Sequence, residues 1–167
     1  MENFSIKEFA LTEFNAEMAT TRKILERVPF DKFTWKPHDK STELGRLALH
    51  VASLPGMGVD ILTKDELLFD GTYNPPVANS TEDILKIFDE KSDASRAALE
   101  AATDESLAKT WKFIMRGHAA YEGNRFRAFQ TFMMNHLVHH RAQLGVYLRL
   151  NDVEIPGSYG PSADEPM

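Results

Sequence analysis

The 167-residue chain contains no cysteine, which removes disulfides, thiolate metal sites and a cysteine nucleophile at once. After Met1 there is no basic stretch leading into an apolar run, and no apolar window approaches the length of a membrane span, so a cytoplasmic protein with no membrane partner is expected. Basic charge is also short, with 19 Lys and Arg against 25 Asp and Glu and a formal net charge of −6. A nucleic-acid binder needs a basic stripe to neutralise phosphates, so no nucleic-acid partner is expected. Arg125, Arg127 and Arg141 read as a solvated helix face. Internal repeats and low-complexity tracts are missing too. At this length the chain is expected to form one domain over residues 1–167, large enough for a substantial core without staples.

What is present is helical patterning, in four stretches. The first opens on a capping box, Ser5 with Glu8, flanked by Phe4 and Phe9 in the two staple positions. It carries the stripe Leu11, Phe14, Met18, Leu25 and Val28 before Pro29 stops it. A connector rich in Phe, Trp and Pro follows from Phe30 to Lys40. Ser41 is the expected N-cap of the second helix, with Glu43 in its first turn, and Leu44, Leu47, His50, Val51, Leu54, Ile61 and Leu62 face inward. Pro55 cannot donate to the carbonyl of Val51, so that helix is expected to kink there, or to end and resume.

From Asp65 to Asn79 the sequence reads as a loop. Fifteen residues extend to about 50 Å at most, against roughly 30 Å for a 20-residue helix, so this loop can run the length of a bundle as a crossover. Ser80 with Glu82 and Asp83 opens the third helix, whose inner face is Ile84, Ile87, Phe88, Ser95, Ala98, Leu99 and Ala102. The small residues after Phe88 suggest close backbone approach to a neighbour. Thr110 to Tyr121 reads as a short extended or hairpin excursion, with His118 exposed at its turn. Asn124 to Leu150 is the fourth helix, and residues 152–167, rich in Pro and Gly, form a tail or a strap held by Ile155 and Tyr159.

Three histidines lie on these apolar stripes. His136 and His140 are spaced i, i+4 and share a face with Phe129, Met133, Leu144 and Tyr147, so their ring nitrogens can converge on one ion. His50, between Leu47 and Leu54, brings a third imidazole to the same interior. Buried imidazoles need partners. Two readings stand: a divalent-metal site, or core histidines satisfied by backbone carbonyls and carboxylates. His139 lies about 60° around the helix from His136 and is excluded as a ligand, and His38 belongs to a loop. Gln143 and Asn135 flank the pair as candidates to hydrogen-bond the ligands.

The stretches FTWKPHDKSTELGRLALHVASLP, NHLVHHRAQLGVYLRLNDV and the closing YGPSADE together resemble the DinB-like (damage-inducible) family over nearly the whole chain. Ala142 stands where many relatives carry glycine after H-H-R. The resemblance implies an all-α, up-down-down-up four-helix bundle with the long crossover between helices two and three. It also implies a divalent metal held by His50, His136 and His140. For a histidine-only site zinc or nickel is expected ahead of iron or manganese. Characterised branches resemble S-transferases that use low-molecular-weight thiols such as bacillithiol or mycothiol. A chain without cysteine must obtain any thiol from outside. The expected activity is therefore a metal-dependent transferase acting on a small-molecule substrate, with a metal-dependent hydrolase or a non-catalytic metal-binding stress protein as alternatives, and a homodimer as the assembly. No catalytic residue beyond the ligands is singled out.

Overall fold

The computed structural model describes residues 5–72, 74 and 76–165. Phe4, the expected staple partner of Phe9, lies outside the described residues. Helix α1 (Ile6–Leu25) is capped by Ser5 as expected, with the Glu8 N–H donating to Ser5 Oγ at 3.2 Å. Asp104, from a distant turn, accepts from the N–H groups of Ile6 at 3.3 Å and Lys7 at 2.8 Å. The donors that every helix start leaves unpaired are thus met by one local and one long-range acceptor.

Helix α2 (Leu44–Ser53) begins later than Ser41, and its cap position is Glu43 with no side-chain cap. The reason lies in the connector: the N–H of Leu44 donates to Trp35 O at 2.8 Å and that of Gly45 to Phe33 O at 2.9 Å. Folded-back carbonyls replace the serine cap. The helix breaks at Leu54 and resumes at once as α3 (Pro55–Thr63), with Pro55 in its first turn, where a missing N–H costs nothing.

The all-α expectation fails between α3 and the last helix. Strand β1 (Glu66–Phe69) lies inside the supposed loop and pairs in parallel with β2 (Thr110–Met115), which pairs antiparallel with β3 (His118–Asn124). The chain is mostly helical, with this three-stranded mixed sheet added. Glu66 to Phe69 shows no alternation of its own; it becomes a strand because β2 offers it an edge to pair with. The β2–β3 hairpin matches the extended reading of Thr110 to Tyr121. It turns through Arg116 and Gly117, both at positive φ, 49° and 80°, as a two-residue loop of matching twist requires. His118 is exposed there, as expected.

Between the strands run α4 (Thr81–Ala101), capped by Ser80 Oγ accepting from Asp83 N, and the short α5 (Asp104–Ala108). The last helical stretch comprises α6 (Arg125–Ala128), a π-helical segment (Phe129–Met134) and α7 (Asn135–Arg149). The π bond is explicit, since Asn135 N–H donates to Gln130 O five residues back.

Side-chain contacts set the helix directions. Gly56 sits against Lys91 and Gly58 against Ser95, so α3 and α4 run the same way. A Cβ on Gly58 would collide with Ser95 Oγ; this is the close approach that the small residues of α4 suggested. Thr81 reaches Val28 while Arg22 reaches Asp89, so α1 and α4 run oppositely. Phe14 meets Phe129 and Thr21 meets Arg141, which makes α1 and the last helix parallel. The core between them is built from the stripes read in the sequence, with Phe14, Leu44, Ile61, Ile84, Phe88, Leu99, Phe129, Met133 and Leu144 all buried. Trp111 closes it on the sheet side.

Candidate metal centre

His50 on α2 and His136 and His140 on α7 come together at one point. One ring nitrogen from each lies within 4.8 Å of the others, and His50 Nε2 stands 3.3 Å from His136 Nε2. The ring centroids are 5.1 Å apart for His50 and His136, 4.6 Å for His50 and His140, and 4.7 Å for His136 and His140. These are the three residues that spacing and stripe singled out.

Their depth differs from that expectation. The fully buried face of α7 is Leu137, Arg141, Leu144 and Leu148, while His136 and His140 lie one position over and are half-buried. The triad therefore sits at the edge of the core. It opens on a cleft of about 480 Å³ between α2 and α7, whose walls include Ser41, Thr42, Leu47, Gln143 and Tyr147. Trp35 stacks edge-on against Tyr147 at 5.6 Å and holds that wall.

Two of the imidazoles are oriented by their second nitrogen. His140 Nδ1 lies 2.8 Å from Gln143 Oε1 and His136 Nδ1 lies 3.3 Å from Phe132 O. Both partners only accept, so each Nδ1 carries the proton and each Nε2 is left with its lone pair. Phe132 belongs to the π segment, and its ring packs on Phe113 at 5.5 Å and Tyr121 at 5.2 Å. The sheet thereby fixes the carbonyl that orients His136. Gln143 does what was expected of it, whereas Asn135 lines a separate groove beside Glu13 and Glu17.

Electrostatics favours the neutral, ligating form throughout. Burial, and then the proximity of His140 and His136, pushes His50 down to about 4. His136 is lowered by burial and by His140, against the opposing bond to Phe132. Burial also lowers His140, opposed by Gln143 and helped by His139. Neutral imidazoles crowded together, with a ring nitrogen of each turned toward the others, are the donor set of a first-row divalent ion. His139 is exposed beside His140, and His38 is exposed in the connector, where its Nδ1 accepts from Lys40 N at 3.1 Å.

Arg127 is exposed, as the solvated-face reading expects, but Arg125 and Arg141 correct it. Arg125 is only 6% exposed and donates to Leu62 O at 3.0 Å and Asp65 Oδ1 at 2.9 Å. Arg141 is 3% exposed; Nη1 donates to Glu17 O at 3.2 Å and Thr21 Oγ1 at 3.1 Å, and Nη2 to Tyr159 Oη at 3.0 Å. Tyr159 in turn donates to Glu17 Oε1 at 2.7 Å. The tail is thus an ordered strap, and Tyr159 serves it through its hydroxyl while its ring stays 75% exposed. The signal for Arg141 was present in the sequence, since Leu137, Leu144 and Leu148 place it mid-stripe.

A mostly helical chain with a three-histidine cluster at the edge of its core defines a class of candidate metalloproteins. The chain belongs to the DinB family, which it matches over residues 3–166. It is 27% identical over 164 residues to the uncharacterized protein YrdA of Bacillus subtilis (strain 168), covering 97% of this chain and 93% of that one. The fold is similar to that of a DinB-like protein from Bacillus cereus ATCC 10987, at a TM-score of 0.70 and 22% identity over 91% of this chain and 97% of the other. It is similar as well to the DinB-like protein YjoA of Bacillus subtilis, at a TM-score of 0.67 and 18% identity over 89% and 96% of the two chains. No helix among the described residues is long and apolar enough to cross a membrane.

Proposed function

We propose that His50, His136 and His140 hold one divalent ion, zinc or nickel ahead of iron or manganese, in a cytoplasmic, homodimeric transferase that uses a low-molecular-weight thiol. The helical part of the fold is read as an up-down-down-up bundle carrying an added sheet. The observation that supports the function most is the openness of the triad: three imidazoles, two of them oriented by a hydrogen bond, converge where a cleft of about 480 Å³ begins. A bound divalent ion would supply Lewis acidity, lowering the pKa of a thiol or water that reaches it.

The protein's own contribution is positional. Gln143 and Phe132 O keep the protons of His140 and His136 on Nδ1, and the Trp35–Tyr147 contact shapes one wall of the approach. Among the described residues no carboxylate lines the cleft, so a saturating acidic fourth ligand, the mark of a purely structural ion, has no source among them. That favours turnover over a static metal clamp.

A tag-free preparation is expected to contain about one equivalent of a divalent first-row metal by elemental analysis. The loaded protein should accelerate conjugation of a small electrophile by bacillithiol, mycothiol or an analogue, and His50→Ala should lose that acceleration. Full metal with no turnover across the thiol panel would move the assignment to the hydrolase or the non-catalytic protein. Retention of a full equivalent by both His136→Ala and His140→Ala would remove the site itself.

A further inference from the structure

Arg46 precedes His50 by four residues on α2, which places it one turn away on the same face, about 6 Å along the axis. It lines the cleft that His50 and His140 share, and Lys40 lines the same cleft from the connector. Both side chains are exposed, and neither makes an ion pair or a side-chain hydrogen bond among the described residues. In a chain with a formal net charge of −6, this cleft holds, among the described residues, two cations and no carboxylate. Three other surface clefts each carry at least one carboxylate, Asp89, Glu17 and Asp70 among them. The contrast is local and sits beside the triad.

We propose that the cleft takes a small molecule at two points: a donor atom at the ion of the His50–His136–His140 triad, and an oxyanion held by Arg46 and Lys40 one helical turn away. The proposal deepens the metal-site reading and rests on it. Arg46 offers a planar fork that matches carboxylate or phosphate with two parallel hydrogen bonds, and Lys40 adds a compact positive charge. The hydroxyls of Ser41 and Thr42, on the same wall, are neutral donors within that pocket. Neutral imidazoles contribute no counter-charge, so the cationic surplus is available to the ligand. The substrate class is then an anionic thiol or electrophile of low molecular weight, and a neutral one fills only the metal end of the site.

Cobalt-loaded protein titrated at low ionic strength with 2-mercaptoethanol, 3-mercaptopropionate and 2-mercaptoethylphosphonate tests this, with the cobalt–thiolate absorption as the readout. At least one of the two anionic thiols should bind about tenfold to a hundredfold more tightly than the neutral one, the range expected for one or two charge-assisted hydrogen bonds. A preference for the propionate over the phosphonate assigns a carboxylate, and the reverse a phosphate. The double variant Lys40→Gln, Arg46→Gln should bring the favoured thiol down to the level of 2-mercaptoethanol. Its cobalt stoichiometry should be unchanged, because neither residue is among the three ligands, and 2-mercaptoethanol should lose far less affinity than the favoured thiol. Equal affinities at full cobalt occupancy, or a preference that survives the double substitution, would overturn the proposal alone. Failure to take up an equivalent of cobalt would overturn the triad reading and this one with it.

Discussion

Helix α7 carries two polar clusters on neighbouring faces, Arg141 toward α1 and His136 with His140 toward α2. Around Arg141 the charge is matched: Glu17, 8% exposed, lies 2.5 Å from Nη1, and Thr21 and Tyr159 take further guanidinium hydrogens. Around the histidines the Nδ1 atoms of His136 and His140 are engaged, while their Nε2 atoms face His50 and no carboxylate among the described residues lines the cleft. In the first arrangement the cation is matched by protein groups from α1 and the tail, so it holds α1, α7 and the strap together. The second withholds the nitrogens that matter. Burial and hydrogen bonding alone do not separate a structural polar cluster from a functional one; what separates them is whether the donor set is closed.

Substitution should pull the two clusters apart. Arg141→Met leaves Glu17 buried without its cation, and equilibrium denaturation should register a loss of about 3–5 kcal/mol. The folded fraction should keep its metal. If Arg141→Met instead emptied the site at unchanged stability, the two clusters would not be independent. Next in size, Gln143→Leu removes the acceptor that orients His140, and metal affinity should fall about 10–100-fold by competition with a chelator, with little change in stability. An unaltered affinity would show that Gln143 only lines the cleft.

Acid should act on the histidine cluster through His50. Its folded value is about 4 against an ordinary 6.5, so between those values the unfolded chain binds more protons and stability rises with pH. The metal-free protein should therefore lose stability as pH falls from about 6.5 toward about 4. His50→Phe should flatten that slope, and thermal melts across the window would read it. Smallest of all, Tyr159→Phe deletes the hydroxyl that ties the strap to Arg141 and Glu17. A cost of about 1 kcal/mol is expected, with metal content untouched.

Much of this was legible in the chain because it depends on near neighbours. The Ser5 and Ser80 caps, the stripes of the main helices and the break at Pro55 are local choices of backbone and periodicity. The candidate ligands were legible for the same reason, since imidazoles at i, i+4 on an apolar stripe stand out without any partner in view. Where the reading failed, the deciding contact lay outside the helical pattern. Ser41 lost its role as a cap to carbonyls of Phe33 and Trp35, and the π segment before His136 shows no break in the helical pattern.

By itself, then, the sequence determined a mostly helical chain with His136 and His140 one turn apart, because helical spacing is written in adjacent turns, and His50 joined them through its own stripe and the family resemblance. Only the tertiary structure decided that Glu66 to Phe69 is a strand, since β2, its partner, lies more than forty residues on. It also decided that Arg125 and Arg141 are buried, because Leu62, Glu17 and Thr21 come from other helices to receive them. The triad's place at the edge of the core, open to a cleft with Arg46 and Lys40, was settled in the same way. Which face of a helix is sealed, and which is left as a mouth, depends on what packs against it.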